Sequence, residues 1–424
     1  MRIGFVFIVL FGAFLAYRFL DNAVIASPDV LIERNRAPMD VSFERAQAGS
    51  ILNSIREAMH MQRLLSNIHL EAAAQAHADY LVHNKESSHD EVAGHQNFTG
   101  VKPLDRAFYA GYNASYVSEN LSTKNSDAKS SVNGLFSAIY HRFGFLSPSI
   151  DEFGVGATQD ELNTQNSAFV YVMGNSDLNR LCSMKSFSGF GKYVFGVCRE
   201  KAHRIAKKKF NQALDLNKMN NPEIILYPYN GQVEVPPAFY AEVPDPLPNH
   251  DVSGFPISIE FNDYFFKEVI LYSFELLKEN VSVHNMLLMD KNSDPHMRFT
   301  DKQFALFPLE RLEYDTEYTA VVAYSSNGKN REIRWSFRTK KPTEELHIIT
   351  QKEESISIES GKSHVIYFKP LDAHDIVKNV QFPSSVDIEF IDNNTFKLTI
   401  NNKSDSSFDI VSDSRVLHVN VNSQ

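Results

Sequence analysis

Two histidines and a glutamate stand in a stretch of chain that no simple core pattern requires. From Ser88 to His141 the landmarks are Ser88-His89-Asp90-Glu91, Phe98-Thr99-Gly100, Asp105-Arg106-Ala107, Ala110-Gly111-Tyr112, Ser118-Glu119-Asn120-Leu121 and Ala138-Ile139-Tyr140-His141-Arg142. Two imidazoles and one carboxylate suit three kinds of chemistry. They can hold a divalent metal such as zinc with a position left for water. A neutral imidazole, with an ordinary pKa of about 6.5, can act as a base while the carboxylate holds its tautomer. Or the group is a polar cluster whose hydrogen bonds fix the surrounding loops. No serine or cysteine stands in a recognisable nucleophile motif; Ser88 and Ser118 are only neighbours of the candidate residues.

Helices and strands must position these groups. Between Glu44 and Leu65, Ala48, Ile51, Leu52, Ile55, Ala58, Met59 and Leu65 recur at helical spacing. A second stripe, Leu70, Ala73, Ala74, His77, Ala78 and Leu81, puts His77 on an apolar face, where a hydrogen-bonded core histidine is the first expectation. Ser88 to Ser122 reads as a long connection with one short helix near Arg106 to Ala110. Val132, Leu135, Phe136 and Ile139 predict a third helix running directly into His141 and Arg142. Asp151 to Ala157 and Ala168 to Gly174 then read as two strands, so helices packed on a sheet are expected.

Further along, the two cysteines of the chain, Cys182 and Cys198, are expected to pair in one disulfide. In the chain-entropy model, closing that loop stabilises by roughly 3 kcal/mol. Tyr193 to Val197 predicts one more strand, and Ala202 to Leu216 a basic linker helix. At Asn221-Pro222 the composition changes to short strands punctuated by proline, such as Ile257 to Phe261, Tyr318 to Val322 and Glu332 to Phe337 beyond the Asn327-Gly328 turn. That spacing suggests an immunoglobulin-like sandwich, and the pattern resumes after Lys340-Lys341-Pro342 in a smaller β segment. Phe255, Phe261, Phe265, Phe266 and Trp335 are expected in the sandwich core. His250, His284, His296, His364 and His374 show no ligand spacing and are expected at the surface.

A chain of 424 residues implies two or three domains, and 43% hydrophobic with 22% charged residues allows each an ordinary core. A net charge of -10 argues against nucleic acid as a partner, because phosphate neutralisation needs clustered Lys and Arg. Lys207-Lys208-Lys209 is a short basic run that reads as a solvated helix face. Arg2, the apolar run Ile3 to Ala16 and the small residues ending at Ala26 have the layout of a signal peptide, with an uncleaved membrane anchor as the alternative. The expected location is therefore secreted, periplasmic or cell-surface.

Taken in order, Ala76-His77-Ala78-Asp79-Tyr80, Ser88-His89, Phe98-Thr99-Gly100, Asp105-Arg106-Ala107, Glu119-Asn120-Leu121, Tyr140-His141-Arg142 and Phe153-Gly154-Val155-Gly156 resemble the bacterial SCP-like branch of the CAP superfamily. This superfamily is named for cysteine-rich secretory proteins, venom antigens and plant pathogenesis-related proteins. The resemblance implies an α+β fold: an α-β-α sandwich over residues 44–175, followed by one or two all-β sandwich modules. It implies an open cleft lined by His89 and Glu119, with His141 facing the same cavity, and these three as the candidate catalytic or metal-binding residues. His77, Glu91 and Arg142 are expected as cleft neighbours. Ser118 stands where the family usually has Gly, Leu135 where Trp is common, and Ala138-Ile139-Tyr140 where a Ser-Pro-Gly turn occurs. The second glutamate and late histidine of eukaryotic members have no clear counterpart, which makes Glu91 the candidate for the missing acid.

The expected organisation is a signal peptide or anchor at 1–26, a CAP domain at 44–175, a disulfide-tied extension and linker helix at 176–220, an immunoglobulin-like sandwich at 222–340 and a small β domain at 343–424. The expected function is an exported protein of the cell envelope. It binds a small hydrophobic or envelope ligand (lipid, sterol or cell-wall fragment) in its His/Glu-lined cleft, while the β modules space or adhere. The alternative is a metal-dependent hydrolase acting on peptide or peptidoglycan. One fold hosts many functions, so both are carried by analogy alone.

Overall fold

The computed structural model describes residues 23–26, 38–400 and 406–422. Of the expected leader at 1–26, only Ala23–Ala26 falls within them. Among the described residues no helix is long and apolar enough to cross a membrane. Among the described residues two compact units emerge: 38–246 with 254–340, and 23–26 with 247–253 and the described residues from 341 to 422.

The first unit begins with helix α1 (Val41–Ala58), whose N-cap Asp40 accepts a hydrogen bond from Phe43 N. Strand β1 (Leu65–Ser66) leads to helix α2 (Ile68–Asn84), capped by Asn67 and stopped by Lys85 in the left-handed region. Short helix α3 (Pro103–Tyr109), strand β2 (Val117–Thr123), helices α4 (Ala128–Ser137) and α5 (Ile139–Phe145), and strands β3 (Glu152–Gln159) and β4 (Ser167–Gly174) complete the layered part. The sheet order is β1-β3-β4-β2, antiparallel except where β1 joins β3.

One sheet face carries Phe153, Val155, Phe169, Tyr171 and Met173, packed with Leu52 of α1 and Val132, Leu135 and Phe136 of α4. The other face carries Ala168, Val170 and Val172 against Leu70, Ala74, Ala78 and Leu81 of α2. An α-β-α sandwich results. α2 lies so close to β3 that a Cβ on Gly154 or Gly156 would come within 2.0 and 2.2 Å of α2 backbone atoms. Only glycine permits that approach. Two sequence expectations are corrected here. The third helix is broken: Ala138 is extended, with φ -73° and ψ 113°, so α4 and α5 are separate. Glu119 does not lie in a loop but on β2, whose seven residues all pair with β4.

After β4, helix α6 (Ser176–Ser183) carries Cys182, which is bonded to Cys198. Of the strand expected at Tyr193 to Val197 only Tyr193–Val194 pairs, with Ile205–Ala206. Helix α7 (Lys207–Met219) follows. Residues 224–339 then fold as a sandwich of a four-stranded and a five-stranded sheet. Phe255, Phe261, Phe266 and Trp335 are buried in its core, with Phe265 partly buried against them. The Asn327-Gly328 turn joins two strands that pair from Glu317–Arg338 to Ser326–Lys329; both turn residues have positive φ, as a two-residue hairpin requires.

The sandwich and the layered domain share a core, in which the Phe136 and Tyr227 rings stack at 5.0 Å. Arg142, expected beside the cleft, is the other tie. It is fully buried, donates to Phe136 O, Pro256 O and Ser258 Oγ, and lies over the rings of Tyr227 and Phe255. The reason is helical geometry: one residue past His141, its side chain leaves α5 about 100° around the axis, toward the sandwich.

In the second unit, Ala23–Ala26, Val380–Pro383, Ser407–Ser412, Val416–Asn422 and Glu353–Glu359 form one sheet. Glu345–Ile349, Ser363–Phe368, Thr395–Ile400 and Val386–Asp392 form another. Ile349, Ile366, Phe396, Leu398, Leu417 and Val419 fill its core. The structure thus has two β modules after the layered domain.

Candidate functional site

Glu119 is the hub. It faces Val172 across the β2–β4 pairing, and its carboxylate is only 1% exposed. A carboxylate in that position is costly unless its oxygens are satisfied. Arg106 of α3 donates from Nη2 to both oxygens, at 2.9 and 2.8 Å. His89 Nδ1 lies 2.9 Å from Oε1. Burial pushes the Glu119 carboxyl up, but the His89 hydrogen bond, the adjacent His77 and the Arg106 guanidinium outweigh it and hold the group below the usual carboxylate range. Glu119 is therefore an anion at neutral pH. An anion only accepts, so His89 Nδ1 carries a proton and donates it.

A second buried carboxylate supports the first. Glu91 accepts hydrogen bonds from Thr99 N at 2.7 Å and Gly100 N at 3.2 Å. Its other oxygen meets His77 Nδ1 at 3.0 Å, and His77 Nε2 faces Ser88 O at 3.0 Å. His77, completely buried, is thus the hydrogen-bonded core histidine its apolar stripe implied, although Nε2 also comes within 3.7 Å of Glu119. Arg106 adds bonds to the carbonyls of Gly100, Val101 and His89, so one guanidinium pins both the loop and the hub.

His89 and His141 face each other with ring centroids 6.1 Å apart. His89 is 40% exposed and His141 13%. His141 Nδ1 lies 3.2 Å from Oε2 of Glu242, whose Oε1 accepts the Ile139 N–H at the start of α5. Each imidazole is thus held through Nδ1 by a carboxylate. The structure brings His89, Glu119, His141, His77 and Glu91 into one network region; Arg142 alone of the expected neighbours points elsewhere.

Both Glu119 oxygens are engaged by Arg106 and one also by His89, so this carboxylate is not a free ligand as it stands. Ligation by Glu119 would displace a buried charge-assisted pair.

A pocket of about 480 Å³, lined by none of His89, Glu119 or His141, opens on the other face of β2 from Glu119. Ser118 and Tyr140, the residues preceding Glu119 and His141, line it with Phe143, Ile150, Arg298 and Phe299. Arg298 lies over the Tyr140 ring, and the Tyr140 hydroxyl donates to Asp294. Glu242, Asp294, Arg298 and Phe299 all come from outside the layered domain. Sequence reasoning missed Glu242, which is 101 positions from its histidine and carries no local signal. Arg106 was visible in Asp105-Arg106-Ala107, but only as a landmark.

Comparison with known proteins agrees on the layered domain. Residues 50–175 match the model of the cysteine-rich secretory protein family, CAP. The chain carries a CAP domain there. Among solved structures, an extracellular protein containing an SCP domain from Bacillus anthracis shares 20% identity over 31% of this chain and 40% of its own, with a TM-score of 0.28. An outer surface protein of Borrelia burgdorferi shares 18% identity over 33% of this chain and 97% of its own, with a TM-score of 0.29. Fibronectin(III)-like modules of Clostridium thermocellum share 11% identity over 47% of this chain and 94% of their own, with a TM-score of 0.16. No curated protein matches the chain.

Proposed function

We propose that this is an exported protein of the cell envelope whose CAP domain binds an amphiphilic ligand, a lipid, sterol or cell-wall fragment, beside the His89–His141 pair. The observation that carries this reading is the engagement of Glu119. With both oxygens on Arg106 and one on His89, the carboxylate orients an imidazole and is not free to activate water. The site offers two imidazoles oriented through Nδ1, and the residues just before Glu119 and His141 help line an aromatic pocket that also takes Arg298. Such a pocket suits an apolar body with a polar or anionic end. The first sandwich, expected only to space or adhere, supports the site directly through Glu242 and Arg298.

A fluorescent sterol, a long-chain fatty acid and a muropeptide, titrated separately, test this. One of them should bind. Ser118→Trp, filling the pocket from a strand position, should abolish binding, and the pair His89→Gln, His141→Gln should weaken it about tenfold, the value of one or two lost hydrogen bonds. A second reading, hydrolysis at a metal held by the two imidazoles, draws on the carboxylate behind each Nδ1, which is how metal-binding histidines are commonly oriented. Turnover of the muropeptide that disappears in His89→Gln would decide for that reading and against the first.

A further inference from the structure

A separate set of metal-ligating side chains lies in the C-terminal β unit, where the sequence pattern promised only surface histidines. His364 is 1% exposed, which corrects that expectation; it points inward from Ser363–Phe368. The neighbouring strand, Glu345–Ile349, runs parallel to it with Glu345 opposite His364. His347, two residues further along, shares the pleat face of Glu345.

His347 Nε2 lies 3.2 Å from His364 Nδ1. Glu345 Oε2 lies 3.7 Å from that His364 nitrogen and 4.0 Å from His347 Nε2. Among the described residues this is the one group of three such donors with all atoms within 4.8 Å of one another. Two nitrogens about 2.0–2.1 Å from a tetrahedral zinc ion sit roughly 3.3–3.4 Å apart. The imidazole pair already has that separation. The carboxylate must close by less than about 1 Å, and Glu345 is 70% exposed and free to rotate.

The protons suit one ring as it stands, His364; His347 Nε2, which donates to His364 Nδ1 across 3.2 Å, must pass its proton to Nδ1 when an ion enters. His364 Nε2 faces the Glu359 carbonyl at 3.3 Å. A carbonyl only accepts, so Nε2 carries the proton and the Nδ1 lone pair points at His347. A backbone carbonyl behind the far nitrogen is the usual support of a metal-bound histidine. The nearby Lys362 ammonium is paired with Glu359.

We propose that Glu345, His347 and His364 form a binding site for a divalent transition-metal ion, with zinc the best match to the spacing. Glu345–Ile349 is the edge strand of its sheet, so the ion would tie that edge to its neighbour and keep a position open beside the exposed carboxylate.

Zinc chloride alone, titrated calorimetrically into the full chain after chelation and near neutral pH, tests the proposal, with bound metal counted by mass spectrometry. One zinc per chain should bind. It should persist in the double variant His89→Gln, His141→Gln and weaken at least about tenfold in His347→Gln. Glu345→Gln, at an exposed position that does not threaten folding, should weaken it several-fold. No stoichiometric binding at micromolar zinc would overturn the proposal. So would equal binding by both Glu345→Gln and His347→Gln, or a site lost only with His89 and His141.

Discussion

Among the described residues two histidine pairs face each other, and carboxylates use them in opposite ways. At His89 and His141 the rings face each other 6.1 Å apart, and each carboxylate, Glu119 or Glu242, holds Nδ1 from the protein side. At His347 and His364 two nitrogens point at each other 3.2 Å apart, while the carboxylate of Glu345 stands 70% exposed. A buried carboxylate with a guanidinium on it is a fixture: moving it exposes Arg106 to an unpaired burial. An exposed carboxylate is mobile and costs little to recruit. The first pair is therefore built to orient rings, the second to converge donors. Residue types alone do not separate the two; the partner of the acid does.

The strongest way to break this contrast is to remove the guanidinium. Arg106→Leu leaves Glu119 and Glu91 buried without their cation and frees three loop carbonyls. Chemical denaturation should show a loss of about 3–5 kcal/mol. Glu345→Gln, metal-free, should stay within about 0.5 kcal/mol of the parent. If Arg106→Leu cost no more than that, Glu119 would not be the locked hub described above.

A smaller effect sharpens the same point through pH. The folded Glu119 carboxyl titrates below its ordinary value of 4.5, so the unfolded chain takes up this proton first on acidification. The stabilisation is full above about pH 5 and is lost as pH falls through the folded pKa. Glu119→Gln should lose on the order of 1–3 kcal/mol at neutral pH, the cost of unmaking charge-assisted hydrogen bonds, and the gap to the parent should narrow as pH falls below about 4.5. A gap constant across that range would mean that charge is not what the network stabilises.

These residues also mark where sequence reading reaches its limit. The layered domain was legible because its signals are local: stripes at helical spacing, Phe153-Gly154-Val155-Gly156 where only glycine lets α2 approach, and the Asn327-Gly328 hairpin turn. His89, Glu119 and His141 were legible as an ordered set. The strand under Glu119 was not, because Val117-Ser118-Glu119-Asn120-Leu121 is too polar to announce itself and exists by pairing with β4. Glu242 and the His347–His364 contact are tertiary juxtapositions, at 101 and 17 positions, that no periodicity encodes. Arg142 shows the converse error: adjacency to a site residue in a helix sends the next side chain away from the site.

The smallest expected effect bears on the second pair. Burial, outweighing Glu345, holds the His347 imidazole below its ordinary pKa of 6.5. The unfolded chain therefore binds a proton that the folded ring resists, and this ring's share of stability falls as pH drops below about 6.5. His347→Gln removes the titration, so between about pH 7.5 and 5.5 the variant should lose less stability than the parent. The difference should be only a few tenths of a kcal/mol, because the ring is partly solvated. His418, raised in pKa by Asp409 and Glu353, titrates with the opposite sign, but it is present in both proteins and cancels in the difference. Saturating zinc should enlarge the effect in the parent alone, since ligation requires the neutral ring and the ion is released as the ring is protonated. A reversed sign without metal would show that Glu345 holds the ring as a cation, and the converging pair would then be a salt bridge before it is a ligand set.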